Sequence, residues 1–528
     1  MGKEETYWAA DVVKRMIATK RDEYVCEGMW TPSGYFHIGN ARPEIFTAYA
    51  VYLELIKEGY KAKQNFIMDD FDPVEKIPKG IDIKEEDEKK YVGFPAVFAP
   101  SPVKGYESWG DYFKKQVTNT FKEMGLEHLT PQSSYENYKS GKMNEQIIFS
   151  LDHAKEIVET WNDITGAEKP ADFLPVTVVC ENCKKIMYTK ATAWDGKEVT
   201  YTCGECKHEG KISPLNANAK LNWRIHWIIN WIVNDVAFES GGKDHFSKGG
   251  SVDLGRALMK NVFKKEPPIQ IPTEFIQVGG AKMAGSVGNV VDLKEWLRIA
   301  SPESFRYLYF SNRPNHAIEF TLEGNPFILL NDRFERSEKI YYGEEKAENE
   351  SIETKMKRAY EMSIIGEPTK KAPLRVPYSY AAQLAGIMDP KENFSQILEG
   401  LKKTKHIPVE ISKEEEEKLQ IEFTKARAWV ETYSPDKLIN FIEKIDASAF
   451  SEYKELFSKS ISAIENEDSP DEIQQQIYEI AKELELPMKD AFKAFYQILI
   501  GKDRGPRLGM LIIALGKEKV LTRLKELN

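Results

Sequence analysis

Apolar positions in the first third of the chain come in short runs separated by stretches of helical spacing, the texture of an α/β sheet. EYVCEGMW, ending at Trp30, reads as a strand, and IFTAYAVYLELIKEGY, from Ile45, has the spacing of a helix packed on one. The run KQNFIMDDFDP closes on Asp69, Asp70 and Asp72. Carboxylates at the carboxyl end of a parallel strand sit where doubly wound sheets bind their ligands. NWRIHWIINWIVNDV predicts an apolar helix whose tryptophans, Trp223 among them, read from the pattern alone as core. From about Asn331 the chain turns charged and glycine-poor, with long helical periods, and predicts an all-α remainder. There Ser469, Pro470 and Glu472 read as N-cap, first-turn proline and capping-box partner ahead of Ile473, Ile477 and Ile480. No internal repeat or low-complexity tract is visible, and KEEDEKK from Lys84 reads as a solvated loop.

Composition narrows the classes. With 528 residues and 41% hydrophobic content the chain suits roughly two to four domains. No run is long and apolar enough to span a bilayer, and the charged start lacks a secretory core, so a cytoplasmic protein is expected. The 73 Lys and Arg against 83 Asp and Glu leave a net charge of -10, so a polyanion partner must be held by local basic patches.

Four of the five cysteines cluster as Cys180, Cys183, Cys203 and Cys206, two C-x-x-C turns joined by a span short enough to form a hairpin. Each turn offers two sulfurs to one ion, and four thiolates leave no open position, which predicts one structural zinc. The alternative is four reduced, buried thiols. His208 is expected beside the knuckle on the surface, and Cys26 in the core of a strand.

Two loops carry candidate chemistry. TPSGYFHIGN, from Thr31 to Asn40, places glycines and His37 between a strand and a helix. A helix start offers unpaired N–H groups to phosphate, and glycine clears the approach, although a histidine there also serves as a plain cap. Far downstream, EFIQVGGAKMAGSVGNVVDL sets Lys282 in a loop of small residues after another strand. A lysine on such a loop can meet charge developing on a phosphate.

The segments TPSGYFHIGN and KMAGSVGN resemble the HIGH and KMSKS signatures of class I aminoacyl-tRNA synthetases. The whole string looks most like the class I lysyl-tRNA synthetases: IMDDFDPVEKIP, SSYENYKSGKMNEQI, the cysteine knuckle, KLNWRIHW, GKDHFSKGGS, SPESFRYLYFSNRPNHAIEF and GKDRGPRLGMLIIALG follow in order. The resemblance implies an α/β Rossmann-like catalytic domain with a zinc-bearing insertion, then an all-α anticodon-binding domain, an α-helix cage. It implies catalytic halves at 20–115 and 216–275, the insertion at 116–215, a signature-loop and stem-contact domain at 276–345, and the anticodon domain at 346–528.

It also implies a reaction. Lysine and ATP, with Mg2+, would give lysyl-adenylate and pyrophosphate, and the lysyl group would pass to the 3′ end of tRNA(Lys). Position by position, His37, Asn40 and Lys282 would be catalytic. Pro32, Gly34, Gly39, Met283 and Ser286 would join them around ATP. Thr31, Asp69, Asp70, Trp223 and His245 would hold the amino acid, an ammonium on an apolar stem that asks for a carboxylate and an aromatic face. Arg504 and Arg507 would lie near the anticodon, and basic residues between Lys355 and Arg375 near tRNA phosphates. The partners implied are tRNA(Lys), L-lysine and ATP, for a monomer with no membrane contact.

This chain departs from the pattern at three places. Ala284, Gly285 and Val287 stand where the signature loop commonly has serine or lysine, Met29 where glycine is usual, and SPVKGYESWGDYF offers no cysteine or histidine for a second metal. Two other readings therefore stand beside an active enzyme: a slow or inactive paralogue that binds tRNA, and a glutamyl-type synthetase.

Overall fold

The computed structural model describes residues 7–278, 281–283 and 290–527, with the backbone alone at Thr130, Ala281 and Lys282. It divides into two compact units: Met1–Trp296 with Pro302–Phe320 and Gly343–Pro368, and Leu297–Ser301 with Thr321–Tyr342 and Thr369–Asn528.

The first unit is built on a five-stranded sheet of β1 (Tyr24–Trp30), β2 (Ala62–Met68), β3 (Thr130–Ser133), β4 (Val236–Gly242) and β5 (Ile269–Thr273). The spatial order is β3-β2-β1-β4-β5 and every pairing is parallel. β1 and β4 are buried on both faces, which explains why EYVCEGMW is apolar without alternation. Strand order reverses between β1 and β4, and a crevice opens at their carboxyl ends.

The helix expected from Ile45 begins at Thr47 and runs to Lys57, behind a π-helical turn over Arg42–Phe46. Pro43 removes an N–H from the ladder there, the usual reason for such a wide turn. Arg42, buried in the turn, donates to the carbonyls of Glu274, Arg313 and His316. Burial pulls its pKa down to about 10. Cys26 is fully buried in β1, and KEEDEKK forms a 3-10 turn over Glu85–Lys90 that buries nothing.

Between β3 and β4 lies an insertion of three helices, Ser134–Lys139, Asn144–Asp152 and Ala154–Thr165, and an antiparallel sheet of Thr189–Trp194, Val199–Cys203 and Glu209–Ile212. The pair Val176–Val178 and Ala219–Leu221 closes the excursion and hands the chain to the helix Trp223–Val233. After β5, Ile276–Val278 pairs with Ala281–Lys282, so Lys282 lies in the second strand of a hairpin where the sequence suggested a loop.

The second unit is helical. Its longest helix, Lys413–Tyr433, starts on a capping box of Ser412 and Glu415 and buries Trp429 against Phe327. Arg375 is held there between Glu338 and Glu422. The helix Pro470–Glu483 starts at Ser469 as the sequence predicts, but half of the capping box forms. Ser469 Oγ accepts from the Glu472 amide, while the Glu472 carboxyl turns to Glu467, whose hydrogen bond and charge raise its pKa. Ile473 and Ile477 are buried as expected; Ala481 takes the third core position and Ile480 is half-buried.

Candidate functional site

His37 is the N-cap of the short helix Ile38–Ala41. Its Nδ1 accepts from the Gly39 N–H at 3.1 Å, and Asn40 Oδ1 accepts from the His37 N–H at 3.3 Å. In a neutral ring an accepting Nδ1 places the proton on Nε2. Capping thus fixes the orientation of the ring and its tautomer.

The loop opens on two adjoining cavities. The first, of about 570 Å³, is lined at the ends of β1 and β2 by Met29, Thr31, Asp69 and Asp72, at the end of β4 by Glu239 to Gly242, and by Gly34, His37, Asn40, Glu44, Trp223 and His245. The second, of about 290 Å³, shares His37, Asn40, Glu44, Gly242 and His245 and is lined further by Gly39 and Met283. Of the residues that the resemblance assigned to catalysis, ATP or the amino acid, seven (Thr31, Gly34, His37, Asn40, Asp69, Trp223 and His245) line the first cavity, and Gly39 and Met283 the second. Pro32 is buried and lines neither cavity. Ser286, with Ala284, Gly285 and Val287, lies outside the described residues, as does the Lys282 side chain; its neighbour Met283 is buried beside Gly39.

Trp223 begins its helix and is 41% exposed, while Trp227 and Trp231 on the same helix are buried. The helix therefore divides its tryptophans, and Trp223 is cavity wall. His245 meets Trp223 edge to face, with ring centroids 6.0 Å apart.

The aspartates behave differently from expectation. Asp70 turns away from the cavities and accepts from Lys114 Nζ, Ser133 Oγ and the Tyr135 amide. Asp69 and Asp72 are bridged by Lys220, buried at 2% exposure, whose Nζ donates to Asp69 Oδ2 at 2.7 Å and to Asp72 Oδ1. The two carboxyls thus share one internal ammonium, and Thr31 Oγ1 adds a bond to Asp72 Oδ2 at 3.4 Å.

Three further carboxyls line the first cavity, Glu75 at its exposed rim and Glu44 and Glu239 deeper in. Glu239 accepts from the indole N–H groups of Trp227 and Trp231, and burial raises its pKa well above the ordinary range. Glu44 lies on the π-helical turn; burial raises its pKa to about 8, against the pull of the Met29 amide. The signals were present in sequence. Glu44 follows His37 by seven residues, the same helical face, and Glu239 is a lone acid inside the apolar strand VAFES.

The four cysteines converge. Their sulfurs lie within 4.8 Å of one another, Cys180 to Cys206 at 3.6 Å and Cys183 to Cys203 at 3.7 Å. Sulfurs at about 2.3 Å from a tetrahedral zinc are separated by about 3.8 Å, so the cage fits the ion. The two turns are alike: Lys184 and Lys207 have φ of 62° and 60°, and the Cys180 and Cys203 amides donate to the Lys185 and His208 carbonyls. His208 is half-buried next to the cage, 4.0 Å from Glu181.

Of the basic residues expected at tRNA, Arg358 is committed to Glu54 and Glu361, and Arg375 to its two glutamates. Arg504 and Arg507 are exposed, with Arg507 paired to Asp471.

A parallel sheet whose crevice holds a histidine-capped loop against a signature-lysine hairpin defines a class I aminoacyl-tRNA synthetase. The model of the family tRNA synthetases class I (K) matches residues 6–365, and that of an anticodon binding domain residues 416–527. The chain belongs to the first of these families, the class I synthetases designated K. It is 33% identical over 536 residues to the lysine--tRNA ligase of Methanocaldococcus jannaschii, covering 98% of this chain and 99% of that one. The Pyrococcus horikoshii lysine--tRNA ligase is 32% identical with the same coverages, and that of Methanococcus maripaludis 33%.

Proposed function

We propose that the protein activates L-lysine with ATP and transfers it to the 3′ end of tRNA(Lys). The observation that carries the reading is the pairing of cavities: an acidic, tryptophan-walled one joined through His37 and Asn40 to a second beside Gly39 and Met283. Lysine would take the first and ATP the second. The lysine carboxylate attacks the α-phosphate and pyrophosphate leaves; the terminal ribose hydroxyl of tRNA then attacks the lysyl carbonyl and AMP leaves. No protein nucleophile is required, because positioning and charge stabilisation suffice. His37 would donate from Nε2 to a phosphate oxygen, Asn40 from its amide, and Lys282 would meet the charge that develops. Mg2+ bound with ATP would neutralise its outer phosphates.

Specificity follows from charge. Asp69 and Asp72 already hold Lys220, Glu239 holds two indoles and Glu75 stands at the exposed rim, so Glu44 is the inner carboxyl that would receive a substrate ammonium. A glutamate substrate would instead meet this acidic wall, with Lys76 at the exposed rim as the lining cation. The cysteine cage would hold one structural zinc that fixes the insertion. The domain roles would follow chain order: catalytic halves at 20–115 and 216–275 around an insertion at 116–215, the signature-loop segment at 276–345, and anticodon binding at 346–528, with Arg504 and Arg507 exposed there. The enzyme would act in the cytoplasm as a monomer.

The test is charging of total tRNA with radiolabelled lysine and, separately, glutamate. Wild type is expected to charge lysine alone, and Lys282→Ala to lose roughly a hundredfold to a thousandfold in kcat, the effect of one transition-state donor. Absence of lysine charging with tRNA binding retained would leave a tRNA-binding paralogue, and glutamate charging would overturn the specificity.

A further inference from the structure

The helix Ala154–Thr165 buries Trp161, and the loop behind it returns Lys169 over that ring. Lys169 Nζ lies 4.4 Å from the Trp161 centroid and 4.0 Å from that of Phe173. The loop is pinned, because Asn162 accepts from the Lys169 amide and donates to its carbonyl, both at 2.9 Å. Arg224, second residue of the helix Trp223–Val233, places its guanidinium 5.5 Å from the same Trp161 ring and 5.3 Å from the ring of Trp223. Trp223 lines the first cavity, so Arg224, against its ring, stands next to the cavity wall, and Lys169 shares the Trp161 ring with it one step further out.

Aromatic faces position a cation without cancelling its charge. Among the described residues neither Lys169 nor Arg224 forms an ion pair with a carboxylate, although Glu168 and Asp172 flank the lysine in sequence. Burial and then Arg224 lower the Lys169 pKa, as expected for like charges held together. Two ordered cations that repel each other and lack an acid are stabilised by an incoming anion, in a protein whose net charge of -10 makes such a pair a local exception.

We propose that Lys169 and Arg224 grip a phosphodiester of the single-stranded 3′ end of tRNA where it enters the cavity beside Trp223. The inference rests on the reading that tRNA is the acceptor. A phosphodiester suits the site because it delivers the terminal ribose towards Trp223 while its charge stays on the rim. The triphosphate of ATP shares the anion chemistry, and the experiment separates the two.

Binding of a tRNA(Lys) transcript, and of the same transcript lacking its 3′ single strand, is titrated over a series of KCl concentrations. Wild type, Lys169→Gln with Arg224→Gln, and Lys169→Arg are compared; glutamine keeps an uncharged polar stem over the rings. The double variant is expected to bind the full transcript roughly tenfold more weakly. Its plot of log K against log[KCl] should flatten by about 1.4, about 0.7 for each lost contact to a single strand. Lys169→Arg should keep the wild-type slope, the shortened transcript should bind all three proteins alike, and the KM for ATP should not move. An unchanged slope, a loss that persists with the shortened transcript, or a raised KM for ATP with tRNA binding intact would each overturn the proposal. If the double variant melts early, Lys169→Gln alone carries the test with half the slope change. Wild type that binds tRNA but does not charge it with lysine would sink the proposed function and leave this comparison standing; charging with equal slopes would sink the cation pair alone.

Discussion

A carboxyl group that lines a cavity with no cation beside it keeps its proton far above its ordinary range, and Glu44 is such a group at about 8. Its unfolded value is near 4.3, so the folded chain holds a proton there that the unfolded chain has already lost. The contribution to stability is fully present below about pH 4 and is lost as pH rises through 8, at up to about 1.4 kcal/mol per pH unit. Glu44→Gln should therefore flatten the decline in urea stability between pH 5 and 8; an equal decline in both proteins would refute the assignment. A bound ammonium works the other way, because it pairs with the ionised form and must displace that proton. The KM for lysine should consequently fall between pH 6 and 8 in wild type, by up to about tenfold per unit, and stay level in Glu44→Gln.

At the scale of elements, the site depends on how closely the π-helical turn lies on β1. A Cβ built on Gly28 would stand 1.9 Å from the Glu44 carbonyl oxygen, a backbone atom that cannot swing away. Gly28→Ala should cost about 1–3 kcal/mol as the turn is pushed off the strand, and should raise the KM for lysine as Glu44 moves with it. Wild-type stability and KM in that variant would show the contact to be dispensable. The next residue, Met29, lines the first cavity together with Trp30 and Thr31. The sequence made the loop at His37, the strand before it, the cysteine cage and the start at Ser469 readable, because each is specified by residues within a few positions of one another. It did not disclose that Lys220, about 150 positions beyond, bridges Asp69 and Asp72, or that Asp70 faces Lys114. Pairing of that kind is decided by which strands become neighbours, and no local period records it. Helix periodicity likewise predicts that NWRIHWIINWIVNDV is apolar, but it does not show that Trp223, at the start of the helix, is exposed while Trp227 and Trp231 are buried.

For the whole molecule, two compact units imply two unfolding events, and the cysteine cage, the proposed zinc site, belongs to the first of them. The sheet around the cage is small: its strands are four to six residues long, with much of their surface exposed. Such a module buries only a few apolar side chains, Ile186, Val199 and Tyr201 among them, and a zinc in the cage would be expected to hold its two turns together. Calorimetry of the full chain should resolve two transitions. Chelation, or Cys183→Ser, should reduce zinc from about one ion per chain to none and lower the first unit's midpoint while leaving that of the helical unit in place. Free zinc at about a thousandfold above its dissociation constant supplies about 4.1 kcal/mol to the state that binds it, so the shift should be several degrees and should depend on zinc concentration. A single transition that falls as a whole would show that the units unfold together; two transitions that ignore the metal would show four reduced thiols that merely pack. The measurement also bears on chemistry, because the insertion carries Lys169 between its helices and the cage. If zinc holds that insertion in shape, the metal-free protein should lose the salt-dependent part of tRNA affinity along with the midpoint, while the KM for ATP, set by the sheet and the His37 loop, stays where it was.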